Sequence, residues 1–199
     1  MKKVLTALAL VAGTAALAPA AQGADIYRAV SSGPSESPPN GSPGASVATL
    51  EIDGSLLRAE VPFDDLLAGT TVAHIHCCTT EAFTGVAPPA ISLVDFPMMV
   101  TAGSYTHTFD LGDPAVYEPA FLASFGGTAS AASAALLDAM NANQAYLNIH
   151  TSEYPNGEIR GWMVAAPIPE PATWGMLGVG LAGLALMSRR RAGATGAAG

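Results

Sequence analysis

The stretch Thr71–Thr80, TVAHIHCCTT, gathers two of the chain's four histidines and both of its cysteines into five consecutive residues. In a β-strand, residues i and i+2 share a face, so His74 and His76 project together with Cα atoms about 6.6 Å apart. Two imidazoles at that spacing can converge on one ion, as zinc–nitrogen distances of about 2.0–2.1 Å require. Further along, AYLNIHTSEYPNGEIRGWM places Tyr146, Asn148 and His150 on one strand face, so His150 offers a third imidazole from across a sheet. Glu158 or an aspartate would supply a fourth ligand or orient an imidazole. Three neutral imidazoles suit Zn²⁺ or Cu²⁺. The same residues also allow a metal-free arrangement. His74, His76, Asn148, Glu158 and Arg160 would then form a hydrogen-bonded polar cluster across adjacent strands. The sequence leaves both open. His107 lies outside these motifs and reads as a surface strand residue.

The chain ends decide the compartment in which this chemistry would occur. Met1-Lys2-Lys3, an apolar run and small residues around Ala20–Ala24 read as a secretory signal peptide, so residues 1–24 are set aside from fold reasoning. In the oxidising compartment beyond, free thiols rarely persist. Cys77 and Cys78 have only each other as intrachain partners. Adjacent Cα atoms stand about 3.8 Å apart across a trans peptide, short of the usual 4.4–6.8 Å for a disulfide, so a bridge here would lock a sharp turn after the His-x-His strand. A redox or substrate-contact device is a second reading of such a bridge, and a thiolate ligand role for Cys78, on the parity of His74 and His76, is a third.

Without the terminal segments, Arg28, Arg58 and Arg160 face fifteen acidic residues, a net charge of −12 with no lysine. That field repels nucleic acid and anionic lipid, excludes nucleic-acid binding and favours cations. Catalytic signatures are absent: there is no phosphate-binding glycine loop, no Gly-x-Ser-x-Gly elbow and no His-Glu-x-x-His. Asp64 and Asp65 are adjacent and alternate in facing, which suits a solvated turn better than an acid–base pair.

The elements that must position the histidines are short strands. Ser31–Ser46 is dense in Pro, Gly and Ser and reads as loop. Ala48, Leu50 and Ile52 alternate, as do Leu57, Ala59, Val61 and Phe63, and Asp53-Gly54 between them signals a hairpin. Pro62 points to an edge or bulge. Thr70–His76 is the next strand, and Ser104–Leu111 another, with Tyr105, His107 and Phe109 on one face. Thr128–Gln144 is the one helical region, preceded by a short helical turn at Glu118–Gly127. The closing pair of strands flanks Pro155-Asn156-Gly157, in a loop somewhat longer than a two-residue turn. The sum is a mainly β fold, an antiparallel Greek-key β-sandwich with one short helical insertion, formed by residues 25–166.

The quoted motifs resemble the CHRD domain, named after its occurrence in chordin and found in many exported bacterial proteins. The resemblance rests on Glu36-Ser37-Pro38-Pro39 with Gly44-Ala45, on Ala73–His76, on Tyr146–Thr151 and on Gly157–Gly161, and spans roughly residues 25–165. It implies a fold and an exported setting rather than a reaction. The Cys77-Cys78 pair stands where many members have Gly or Ala. Residues 167–199 resemble the PEP-CTERM sorting signal: Pro169-Glu170-Pro171, an apolar run from Ala172 to Ser188, and Arg189–Arg191. Seventeen residues at 1.5 Å rise make about 25 Å, a short transmembrane helix with the arginines inside. This resemblance implies an exosortase partner, a tethered stage at the inner membrane, and then the cell surface or extracellular space.

Two functions follow as expectations. The first is a non-catalytic binding or structural module of the surface or matrix, associated with exopolysaccharide or another surface protein in biofilm. The alternative is a Cu/Zn-dependent oxidoreductase resembling copper–zinc superoxide dismutase, which also sets His-x-His on a β-sandwich.

Overall fold

The computed structural model describes residues 24–166 and 178–184. The chain divides into a compact unit, Gly23–Pro169, and a second unit formed by Met1–Gln22 with Glu170–Gly199. In the second unit residues 178–184 are helical. Among the described residues no helix is long and apolar enough to cross a membrane. The signal peptide up to residue 23, the Pro169-Glu170-Pro171 triplet, the arginine cluster and most of the expected transmembrane run lie outside the described residues.

The Gly23–Pro169 unit holds eight strands and two α-helices: β1 (Asp25–Ser32), β2 (Ala45–Asp53), β3 (Leu56–Asp64), β4 (Thr70–His76), β5 (Pro89–Ser92), β6 (Gly103–Asp110), α1 (Pro119–Ser124), α2 (Ala129–Asn141), β7 (Tyr146–Thr151) and β8 (Ile159–Ala165). Every strand pairing is antiparallel. The strands form one sheet in the order β5-β4-β7-β8-β1-β2-β3-β6, so β3→β4, β5→β6 and β6→β7 are long crossings of Greek-key character. The layers expected of a sandwich thus belong to one sheet, which curls over a single core.

Period-2 patterning builds that core. Leu50, Ile52, Leu57, Ala59, Val61 and Phe63 are buried with Ala73, Ile75, Ile91, Leu147, Ile149, Ile159 and Met163. The Asp53–Leu56 pair closes a two-residue turn in which Gly54 takes the positive φ (60°) that tight hairpins require. β3 is interior rather than an edge: Pro62 pairs Ser104 of β6. Its missing N–H shows instead as a lapse in the β2–β3 ladder between Ser46↔Phe63 and Thr49↔Glu60. α2 buries Ala132, Leu136, Ala139 and Met140, the i, i+4, i+7, i+8 stripe of an amphipathic helix, and Thr128 caps it by accepting from Ala131 N–H.

Two strands were not expected from the sequence. β1 alternates Tyr27, Ala29 and Ser31 inward against exposed Arg28 and Val30, and the four-residue β5 is too short to show a period. The helical insertion comprises two helices, α1 being the expected short turn.

Candidate functional site

β4 and β7 pair with His74 opposite Asn148, His76 opposite Tyr146 and Val72 opposite His150. Because Ala73, Ile75, Leu147 and Ile149 turn into the core, alternation forces His74, His76, Tyr146, Asn148 and His150 onto the outer face. There His74, His76 and His150 bring their ligand nitrogens within 4.8 Å of one another, the one such His/Cys/Asp/Glu group among the described residues. His74 Nδ1 stands 3.2 Å from His150 Nε2. Two nitrogens on one tetrahedral zinc are about 3.3 Å apart. That pair already has ligand spacing, and the widest pair needs to close by about 1.5 Å.

Loop carbonyls orient the rings. His76 Nδ1 donates to Ala87 O at 2.8 Å and His150 Nδ1 donates to Pro155 O at 3.0 Å. A carbonyl only accepts, so in each neutral ring Nε2 carries the lone pair. Among the described residues His76 Nε2 is buried and has no hydrogen-bond partner. Burial pushes His76 and His150 down to about 4 and also lowers His74, where nearby Glu118 works in the opposite direction. At neutral pH the three rings are uncharged, the protonation state that binds metal. Glu118 is held beside this site by Ser92, whose hydroxyl donates to its carboxylate at 2.5 Å, and Ser92 pairs His74 across β4–β5.

A second polar group adjoins the histidines. The Tyr146 ring stacks on His76 at 4.8 Å, and the Arg160 guanidinium lies 4.7 Å from the Tyr146 centroid and 5.5 Å from that of Trp162. Arg160 donates from Nε to Ser35 O and from Nη1 to Gly85 O, and its Nε lies 3.6 Å from Glu36 Oε2. Burial raises the Glu36 carboxyl while Arg160 pulls it back. Arg160 therefore clamps two covering loops onto the sheet.

Glu158 stands apart from the imidazoles. Its Oε1 accepts from Ser42 Oγ and Leu67 N–H and its Oε2 from Thr151 Oγ1, each at 2.6 Å. A fully buried carboxylate with three donors is committed to tying loops together, not to a metal. Cys77 and Cys78 are joined by a disulfide across a cis peptide, with Cα atoms 3.0 Å apart; both sulfurs are thereby engaged, which leaves no thiolate at Cys78. His107, expected on the surface, is half-buried, with its ring centroid 4.6 Å from that of Phe109 and 6.0 Å from that of Tyr105. Sequence reasoning missed Glu118, Trp162 and the Ala87 and Pro155 carbonyls. Backbone acceptors leave no sequence signal.

Fold and site together define an antiparallel β domain with a cluster of neutral imidazoles on its outer face. Residues 27–163 match the CHRD domain, so the chain belongs to the CHRD domain family, and residues 167–191 match the PEP-CTERM protein-sorting motif. It is accordingly an exported protein sorted by an exosortase, with a membrane-anchored intermediate before its surface or extracellular destination. No curated protein and no solved structure matches the chain.

Proposed function

We propose that this protein is a non-catalytic binding module of the cell surface or extracellular matrix that holds one Zn²⁺ or Cu²⁺ ion at His74, His76 and His150. The observation carrying the reading is the convergence of three imidazoles within 4.8 Å while His76 Nε2 remains buried without a partner. An orphaned buried acceptor costs about 1–3 kcal/mol, and an ion bound here would take up this one. The carbonyls of Ala87 and Pro155 serve as the outer partners that fix ring orientation at metal sites. Export begins through the Sec route at the basic Met1–Lys3 start, and the sorted product joins exopolysaccharide or another surface protein of a biofilm matrix.

The test is elemental analysis of the exported full chain beside a His74→Ala/His76→Ala variant. One equivalent of zinc or copper is expected in the parent and none in the variant. Metal-free parent protein, from cells grown with both metals, overturns the reading. Dismutation of superoxide by the copper-loaded parent would replace the non-catalytic role with the oxidoreductase one.

A further inference from the structure

The sheet curls over its core with β5 and β6 as its two end strands. The β5 end is covered, since Glu118 N–H donates to Ala90 O. The β6 end is open. Leu111 N–H donates to Ser55 O, which sets the parity of the β3–β6 ladder. Tyr105, His107 and Phe109 turn their backbone groups toward β3, while Ser104, Thr106 and Thr108 turn theirs away. Among the described residues, no backbone group pairs with those of Ser104, Thr106 and Thr108 on that side. All three residues are exposed. Gly103–Asp110 has no lysine, proline or bulge, the devices by which an edge strand blocks further pairing.

A hollow of about 680 Å³ lies beside this edge, with His107–Asp110 of β6 on one side and Val94, Val116, Pro119 and Leu122 among the residues facing them. Its charged members are Asp110, Asp113 and Glu118, and no lysine or arginine lines it. Arg58, opposite Thr108 on the outer face of the sheet, is ion-paired with Glu60 and leaves those carboxylates unmatched. The open edge calls for an extended backbone, and the acidic, partly apolar hollow calls for a cation on a long aliphatic stem.

We propose that β6 accepts an extended segment of a partner protein as an added strand, with a lysine or arginine of that segment seated in the hollow lined by Asp110, Asp113 and Glu118. Thr106 and Thr108 exchange backbone hydrogen bonds with the segment, and alternation turns the residue level with His107 inward, on the side of the hollow. Backbone pairing supplies the affinity and the hollow supplies the choice of side chain. The acidic unit of a second copy does not offer that cation on an edge. Its Arg28 and Arg58 lie on the interior strands β1 and β3, and Arg160 is buried. The contact does not depend on whether the imidazole site holds an ion.

The probe is a dye-labelled synthetic peptide alternating threonine with valine around one central arginine, titrated into the purified exported full chain and followed by fluorescence anisotropy. Saturable binding is expected. It should weaken at least tenfold when the central arginine is replaced by glutamate, and at least tenfold in Asp110→Asn/Asp113→Asn. Asparagine still accepts the backbone bonds that these two exposed aspartates take from Gly112 and Ala115, so the fold is kept. Thr106→Pro removes an outward N–H at an edge position where proline is tolerated, and should also abolish binding while the circular dichroism spectrum stays that of the parent. No binding of the arginine peptide, equal binding of the glutamate peptide, or binding indifferent to Thr106→Pro would each overturn the proposal. So would a dimer of the protein, seen by sedimentation, that Thr106→Pro dissociates, because a second copy would then occupy the edge.

Discussion

His76 gives its two ring nitrogens separate tasks: Nδ1 is tied to Ala87 O, while Nε2 is buried and free. The proton balance of the metal-free protein follows. Unfolded histidine takes a proton near 6.5, whereas His76 and His150 in the fold take one only near about 4. Between those values the unfolded chain binds more protons, so stability is complete above about pH 6.5 and is lost as the pH falls toward 4. The loss approaches about 3 kcal/mol per ring at full protonation, since each tenfold drop in proton affinity is worth about 1.4 kcal/mol. Denaturant unfolding of chelator-treated protein at pH 7 and pH 5 should show this fall, and His76→Gln should flatten it; parallel profiles would rule it out. Glu158 makes a prediction of a different kind. Glu158→Ala strands the buried hydroxyl donors of Ser42 and Thr151 and the part-buried N–H of Leu67, and should cost about 3–5 kcal/mol, read as a lowered denaturation midpoint. The histidine set was legible in the sequence because strand period alone puts His74 beside His76. The task of Glu158 was not, because its partners lie 91 and 116 residues away in the chain at Leu67 and Ser42.

Among the elements, those whose apolar residues alternate over six or more positions could be read directly, which is why β2, β3, β4, β6, β7 and β8 were legible. β1 escaped because its inward residues include Ser31, a polar member of the alternation, and because Ser31 and Ser32 belong equally to the Pro/Gly/Ser-rich run. β1 nevertheless joins the two halves of the sheet, pairing β8 on one side and β2 on the other. The β1–β8 junction depends on a residue without a side chain. A Cβ on Gly161 would stand 2.7 Å from the Val30 backbone and 2.6 Å from Ser31 Oγ. Backbone cannot step aside as a flexible side chain can, so the strands would have to part. Gly161→Ala should therefore destabilise the unit by about 2–3 kcal/mol, at the upper end of ordinary overpacking. It should also release the neighbouring Arg160 clamp, making amides of Ser35 and Gly85 exchange faster with solvent. An unchanged melting midpoint would show that β1 and β8 are less closely locked than their register implies.

For the whole molecule, charge and sorting act together. The lysines and the arginine cluster reside in the terminal segments, and the unit between them is strongly acidic. An acidic body is repelled by an anionic membrane surface, so attachment must come from the C-terminal segment rather than from the domain itself. Removing that segment also removes Arg189–Arg191, leaving a body with no basic cluster to hold it at the inner leaflet. Processing at the PEP-CTERM motif thus converts an anchored chain into one that its own charge keeps off the membrane. Substituting the recognition triplet, Pro169→Ala/Glu170→Ala/Pro171→Ala, should leave the full-length chain in the inner-membrane fraction. The parent should appear outside the cell or on its surface, shortened at its C-terminus. Fractionation followed by intact-mass measurement separates the two. If the substituted chain is shortened and released like the parent, a protease other than the exosortase processes it. If neither is shortened, the apolar, arginine-flanked segment is a permanent anchor, and the domain acts at the membrane surface despite its charge.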